Sequence, residues 1–137
     1  MGRLLALDYG KKRTGIAITD ELQLIASALT TVPTSELLHF LKKYTETEKV
    51  VGFIVGEPKQ MNNTPSESEA FIAPFLVRLA KAFPNIPITR QDERFTSKMA
   101  VQSLIAGGVK KKKRSDKALI DEISATLILQ AYLNRKQ

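Results

Sequence analysis

The 137-residue chain contains no cysteine and a single histidine, His39. The first absence removes disulfide frameworks, thiolate zinc sites and cysteine nucleophiles together. The second leaves oxygen donors as the available ligands for any metal ion. Long apolar runs are missing too, and no stretch approaches the roughly 18 residues that a bilayer span requires. Nor does the N-terminus show the basic-then-apolar order of a secretory signal. These absences predict a cytoplasmic chain without membrane contact.

What is present has the composition of a globular protein, with 43% hydrophobic and 26% charged residues. Residues 1–137 read as one domain, since a domain takes roughly 150 residues. A chain of this size buries about two-thirds of its unfolded surface and needs no covalent staple. The 21 lysines and arginines outnumber the 14 acidic residues, for a net charge of +7. The excess is clustered. Lys11, Lys12 and Arg13 form one group, and Lys110, Lys111, Lys112, Lys113 and Arg114 form another. Either group alone also suits a solvated loop. Two groups flanking acidic positions point to nucleic acid, through its phosphates, as the partner.

The pattern predicts strands at 3–8, 14–19, 24–32, 50–55 and 86–90. Helices are expected from Thr34 or Ser35 to about 48, from Ser66 to about 83, from Thr96 or Ser97 to 107, and from Ser115 or Asp116 to about 134. Three successive strands followed by alternating helices and strands make an α/β fold with a five-stranded mixed sheet flanked by helices. His39 is expected at the surface of the first helix. Phe71 and Phe75, one helical turn apart, are expected in the core.

Three carboxylates stand where a core has no use for them. Strand alternation puts Asp8 on one face with Leu4 and Ala6, although ending the strand would explain it as well. Glu93 and its neighbour Asp92 follow the fifth strand, where α/β sheets present functional groups, and the residues alone do not rank them. Asp121 borders the apolar stripe of the last helix, where the helix dipole also offers it a modest role. Convergence of such groups is costly, at roughly 4 kcal/mol per pair 4 Å apart for an effective dielectric of 20. A shared cation removes that cost, and oxygen-only ligands select magnesium or manganese.

Four motifs in order add to this. They are Asp8-Tyr9-Gly10-Lys11-Lys12-Arg13-Thr14-Gly15; Val55-Gly56-Glu57-Pro58 with Met61-Asn62-Asn63; Asp92-Glu93-Arg94-Phe95-Thr96-Ser97; and Asp121-Glu122-Ile123-Ser124-Ala125. Together they resemble the YqgF family, also called RuvX, whose members are described as Holliday-junction resolvases and as pre-16S rRNA nucleases. The resemblance spans nearly the whole chain and implies a ribonuclease H-like fold. It also implies that Asp8, Glu93 and Asp121 serve as catalytic, metal-binding residues for Mg²⁺ or Mn²⁺. The implied activity is phosphodiester hydrolysis in structured nucleic acid, most directly at the 5′ end of pre-16S rRNA. Junction resolution and non-catalytic nucleic-acid binding are the alternatives. Lys11, Arg13, Arg94 and the run 110–114 are the expected phosphate contacts. Glu57 stands where the family usually has an apolar residue and is a candidate fourth acid.

Overall fold

A computed structural model describes residues 2–58, 67–92 and 117–136. Five strands form one sheet: β1 (Arg3–Asp8), β2 (Arg13–Thr19), β3 (Ala26–Pro33), β4 (Val50–Glu57) and β5 (Ile88–Asp92). Their order across the sheet is β3-β2-β1-β4-β5. The first three strands run antiparallel, while β4 lies parallel to β1 and β5 parallel to β4. The mixed five-stranded sheet is the one predicted. The helices are α1 (Leu37–Thr47), entered through a 3-10 turn at Thr34–Glu36, then α2 (Glu69–Ala82) and α3 (Lys117–Lys136).

Strand alternation sorts the core into two layers. Leu5, Leu7, Ile16, Ile18, Phe53 and Val55 face α1 and α2, whose Leu37, Leu41, Ile72, Phe75 and Leu79 complete that cluster. Leu4, Ala6, Ala17 and Ile54 face α3 and meet Ala125, Ile128, Leu129 and Leu133. Both faces of β1 and β4 are therefore covered, which is why these strands read as continuous apolar runs.

The α3 side mixes alanines with leucines and isoleucines, and at Gly15 the strand presents no side chain to the helix. A Cβ on Gly15 would collide with the main-chain oxygen and carbonyl carbon of Asp121. The helix backbone thus rests directly on strand β2. Gly15 in turn pairs with Asp8 across β1 and β2.

Several boundaries differ from expectation for identifiable reasons. Strand β3 begins at Ala26, because the Asp20 carboxylate accepts the backbone N–H groups of Leu22, Leu24 and Ile25 and holds them in a turn. Strand β5 begins at Ile88. Pro87 lacks a donor, and Ile86 closes a turn onto the Phe83 carbonyl. Helix α1 has no side-chain cap. The Thr34 hydroxyl donates instead to the Gly10 carbonyl at 2.6 Å, so its partner Thr14 Oγ1, 2.9 Å away, must donate to it. Ser68 holds the N-cap position of α2. The expected caps at Ser66, Ser115 and Asp116, and the helix from Thr96 or Ser97 to 107, lie outside the described residues.

Because Gly15 sits against main chain, Gly15→Ala should cost about 1–3 kcal/mol through overpacking. Chemical denaturation should show a clear loss against wild type. Equal or higher stability, the usual result of Gly→Ala in open space, would contradict the close approach.

Candidate active site

The parallel strands β1, β4 and β5 end together at Asp8, Glu57 and Asp92, the edge where α/β sheets present their functional groups. Asp8 is half-buried. Its partner Gly15 sends its missing Cβ toward α3, so Asp8 belongs to the α3 face, as alternation with Leu4 and Ala6 predicted. Asp121 lies on α3 directly over Gly15. The fold therefore brings Asp8 and Asp121 to one end of one face. The first turn of α3 holds no acid, and Asp121 falls beyond the reach of a strong dipole effect.

Arg13 lies on the same face, two residues before Gly15. Its Nε donates to Asp121 Oδ2 at 2.7 Å, a charge-assisted bond between side chains 36% and 24% exposed. Gly10, Lys11, Lys12, Arg13 and Asp121 line a cleft of about 390 Å³. A neighbouring cleft of about 260 Å³ continues past Lys12 and Arg13 to Thr31, Pro33 and Ala118. Lys11 and Lys12 are exposed. Thr34 steadies their turn by taking the Gly10 carbonyl with its hydroxyl and the Lys12 carbonyl with its N–H. On the opposite side of the sheet, Tyr9 stacks on buried Phe75 with ring centroids 4.4 Å apart, and Phe71 tilts against it at 6.2 Å. The two phenylalanines thus brace the strand end beside Asp8. His39 is exposed on α1, as expected.

At the β4–β5 end a second arginine organises the backbone. Arg90 donates through Nη1 and Nη2 to the two carboxylate oxygens of Glu69, each at 2.9 Å. It also donates to the carbonyls of Val55 at 3.3 Å and Gly56 at 2.9 Å. One side chain thereby ties the start of α2 to the end of β4. The register pairs Val55 with Arg90, Gly56 with Gln91 and Glu57 with Asp92. Gln91 therefore shares the α3 face, whereas Asp92 and Glu57 fall on the other. Asp92, which the motif resemblance passes over in favour of Glu93, and the candidate fourth acid Glu57 are thus set across the sheet from Asp8.

Glu93, Arg94 and the run 110–114 lie outside the described residues. Among the described residues, no three His, Cys, Asp or Glu side chains group as a metal cage. Asp8 and Asp121 supply two carboxylates on one face. Among the described residues, Gln91 Oε1 and Ser124 Oγ are buried oxygens without a hydrogen-bond partner, and both belong to elements of that same face. An all-oxygen donor set of this kind fits a hard divalent cation. Sequence reasoning missed the Arg13–Asp121 bond, the Arg90 clamp and the two buried oxygens. The polar run Thr-Arg-Gln-Asp in a sheet-end strand was the one available signal, and it marked Arg90 and Gln91. No described helix is long and apolar enough to cross a membrane.

A family model described as "RuvX: Holliday junction resolvase" matches residues 2–135. A protein of Christiangramia forsetii is 65% identical over 133 residues, covering 97% of this chain and 98% of its own length. One of Phocaeicola vulgatus is 59% identical over 137 residues, covering 100% and 99%. Both carry the name "Putative pre-16S rRNA nuclease". Among solved structures, Thermus thermophilus RuvC bound to a Holliday junction substrate superposes with a TM-score of 0.60 at 14% identity, over 98% of this chain and 95% of that one. A second structure of the same protein gives 0.53 at 16% identity, over the same shares. The fold is ribonuclease H-like, as the sequence motifs implied.

The Arg90 hydrogen bonds hold the Glu69 carboxyl below its ordinary value of 4.5. A depressed folded pKa contributes stability above the unfolded pKa and loses it as pH falls through the folded one. Glu69→Gln should therefore cost about 1 kcal/mol at neutral pH. The gap to wild type should close as the pH drops below 4.5 in parallel denaturation series. A gap of constant size across that range would contradict the clamp.

Proposed function

The chain belongs to the RuvX (Holliday junction resolvase) family, and from that premise we propose that it is a metal-dependent nuclease. Asp8, Glu93 and Asp121 are its catalytic carboxylates. The observation that carries this reading is the Asp8–Gly15 pair beneath the Asp121 main chain, which gathers two of the three acids at one end of one face. With Glu93 they would hold Mg²⁺ or Mn²⁺. When bound, such ions activate a water and stabilise the leaving oxygen of a phosphodiester. Hydrolysis joins the water oxygen to phosphorus, breaks the ester bond and returns a proton to the departing sugar oxygen.

The chain's own residues do the binding. Lys11, Lys12 and Arg13 line the cleft beside Asp121 and suit consecutive backbone phosphates. Arg94 and the run 110–114 add further cations in the sequence. The substrate we assign is precursor 16S rRNA, which the names of the full-length relatives support, and we assign the cut to its 5′ region in the cytoplasm. A second reading, resolution of four-way DNA junctions, is favoured by the family description and by the fold shared with RuvC.

The test compares wild type with Asp8→Asn on precursor rRNA, single strands and four-way junctions, each with and without Mg²⁺ or Mn²⁺. Metal-dependent cleavage of precursor rRNA should fall at least about a hundredfold in the variant, equivalent to about 2.7 kcal/mol of barrier. Equal cleavage by the variant would sink the catalytic assignment. Cleavage confined to junctions would establish the second reading, and nucleic-acid binding without cleavage would make the chain a binding module.

A further inference from the structure

Arg13 is claimed from two directions. Its Nε lies 2.7 Å from Asp121 Oδ2, yet it also lines the basic cleft with Lys11 and Lys12. The main chains at both ends of this bond are fixed. Arg13 opens strand β2, paired with Pro33, and the turn before it is tied down by Thr34. Asp121 is held by the contact of its backbone with Gly15. What can move is the long arginine side chain, 36% exposed at the cleft.

We propose that Arg13 is a gate between metal and substrate. Without metal it neutralises Asp121, and as the divalent cation takes that carboxylate it swings out to bind a backbone phosphate. This inference rests on the metal-dependent reading above. The physical ground is that a guanidinium and a divalent ion cannot share one carboxylate without mutual repulsion. The bond to Asp121 must therefore be broken, or weakened, for the ion to bind. The released guanidinium then carries its charge and its forked donors to the phosphate. Arg13 consequently opposes metal binding while favouring nucleic acid, and by linkage each ligand helps the other through it.

Removing this residue of the binding cleft should improve metal affinity. Calorimetric titration of the intact chain with Mn²⁺ alone, without nucleic acid, tests it. Arg13→Gln should bind Mn²⁺ about three- to tenfold more tightly than wild type, the range set by losing one partly screened ion pair and one nearby positive charge. Lys12→Gln removes the same charge from the same turn but leaves the Arg13–Asp121 bond in place, and should shift affinity much less. Arg13→Lys keeps the charge without the Nε donor and should fall between wild type and Arg13→Gln, which guards against a folding artefact. Asp121→Asn should weaken binding. Unchanged or weaker Mn²⁺ binding by Arg13→Gln, with Asp121→Asn still weakened, would overturn the gate alone. Equal tightening by Lys12→Gln would reduce it to general electrostatics and overturn it as well. No saturable Mn²⁺ binding by wild type would overturn the gate together with the metal-dependent reading.

Discussion

The contact between the α3 backbone and Gly15 sets the distance between the last helix and the sheet, and the candidate site is built around that distance. Any side chain at position 15 would meet the Asp121 main chain. Ala6, Ala17 and Ala125 lie on the same face, packed with Leu4, Ile54, Ile128 and Leu129. Because β2 alternates, Arg13 falls on the face that Gly15 opens, and because Gly15 pairs with Asp8, that carboxylate does too. One steric constraint thereby aligns an arginine and two acids drawn from three separate elements.

Opposite charges are set against each other at this end of the sheet. Two carboxylates gathered at one sheet end repel each other unless something positive intervenes. In this structure Arg13 supplies part of that compensation at Asp121. Arg90 plays a comparable part at the other side of the sheet end, where it satisfies Glu69 and two strand carbonyls at once. The two arginines differ in what holds them. Arg90 is locked by four hydrogen bonds of its guanidinium, whereas Arg13 reaches Asp121 across a cleft open to solvent. The first suits a brace, and the second suits a residue that exchanges partners.

Much of the fold was legible in the chain because its strands carry their burial in plain form. The apolar runs of β1 and β4 follow from helices covering both faces, and Asp8 was readable from its phase with Leu4 and Ala6. The misplaced boundaries share a cause, since local hydrogen bonds overrode pattern. Leu24 and Ile25 look like strand residues, but Asp20 claims their N–H groups. Thr34 looks like a helix cap, but its hydroxyl is engaged by Gly10 and Thr14. The site was legible as acids and phosphate-binding cations, without the contacts that join them. The bond that joins Arg13 to Asp121 spans 108 positions, and nothing local in either segment signals it. The resemblance chose Glu93 over Asp92, and the β4–β5 register sets Asp92 beside Glu57 on the far face.

On the proposed reading, Asp8, Asp121 and Glu93 converge on a divalent cation. An anomalous-scattering map from a crystal of the full chain grown with Mn²⁺ tests it most directly. The account predicts a manganese peak bounded by carboxylate oxygens of Asp8, Asp121 and Glu93, with the Arg13 guanidinium withdrawn from Asp121 Oδ2. A map at saturating Mn²⁺ with no peak between these residues, or with the metal seated elsewhere, would contradict it.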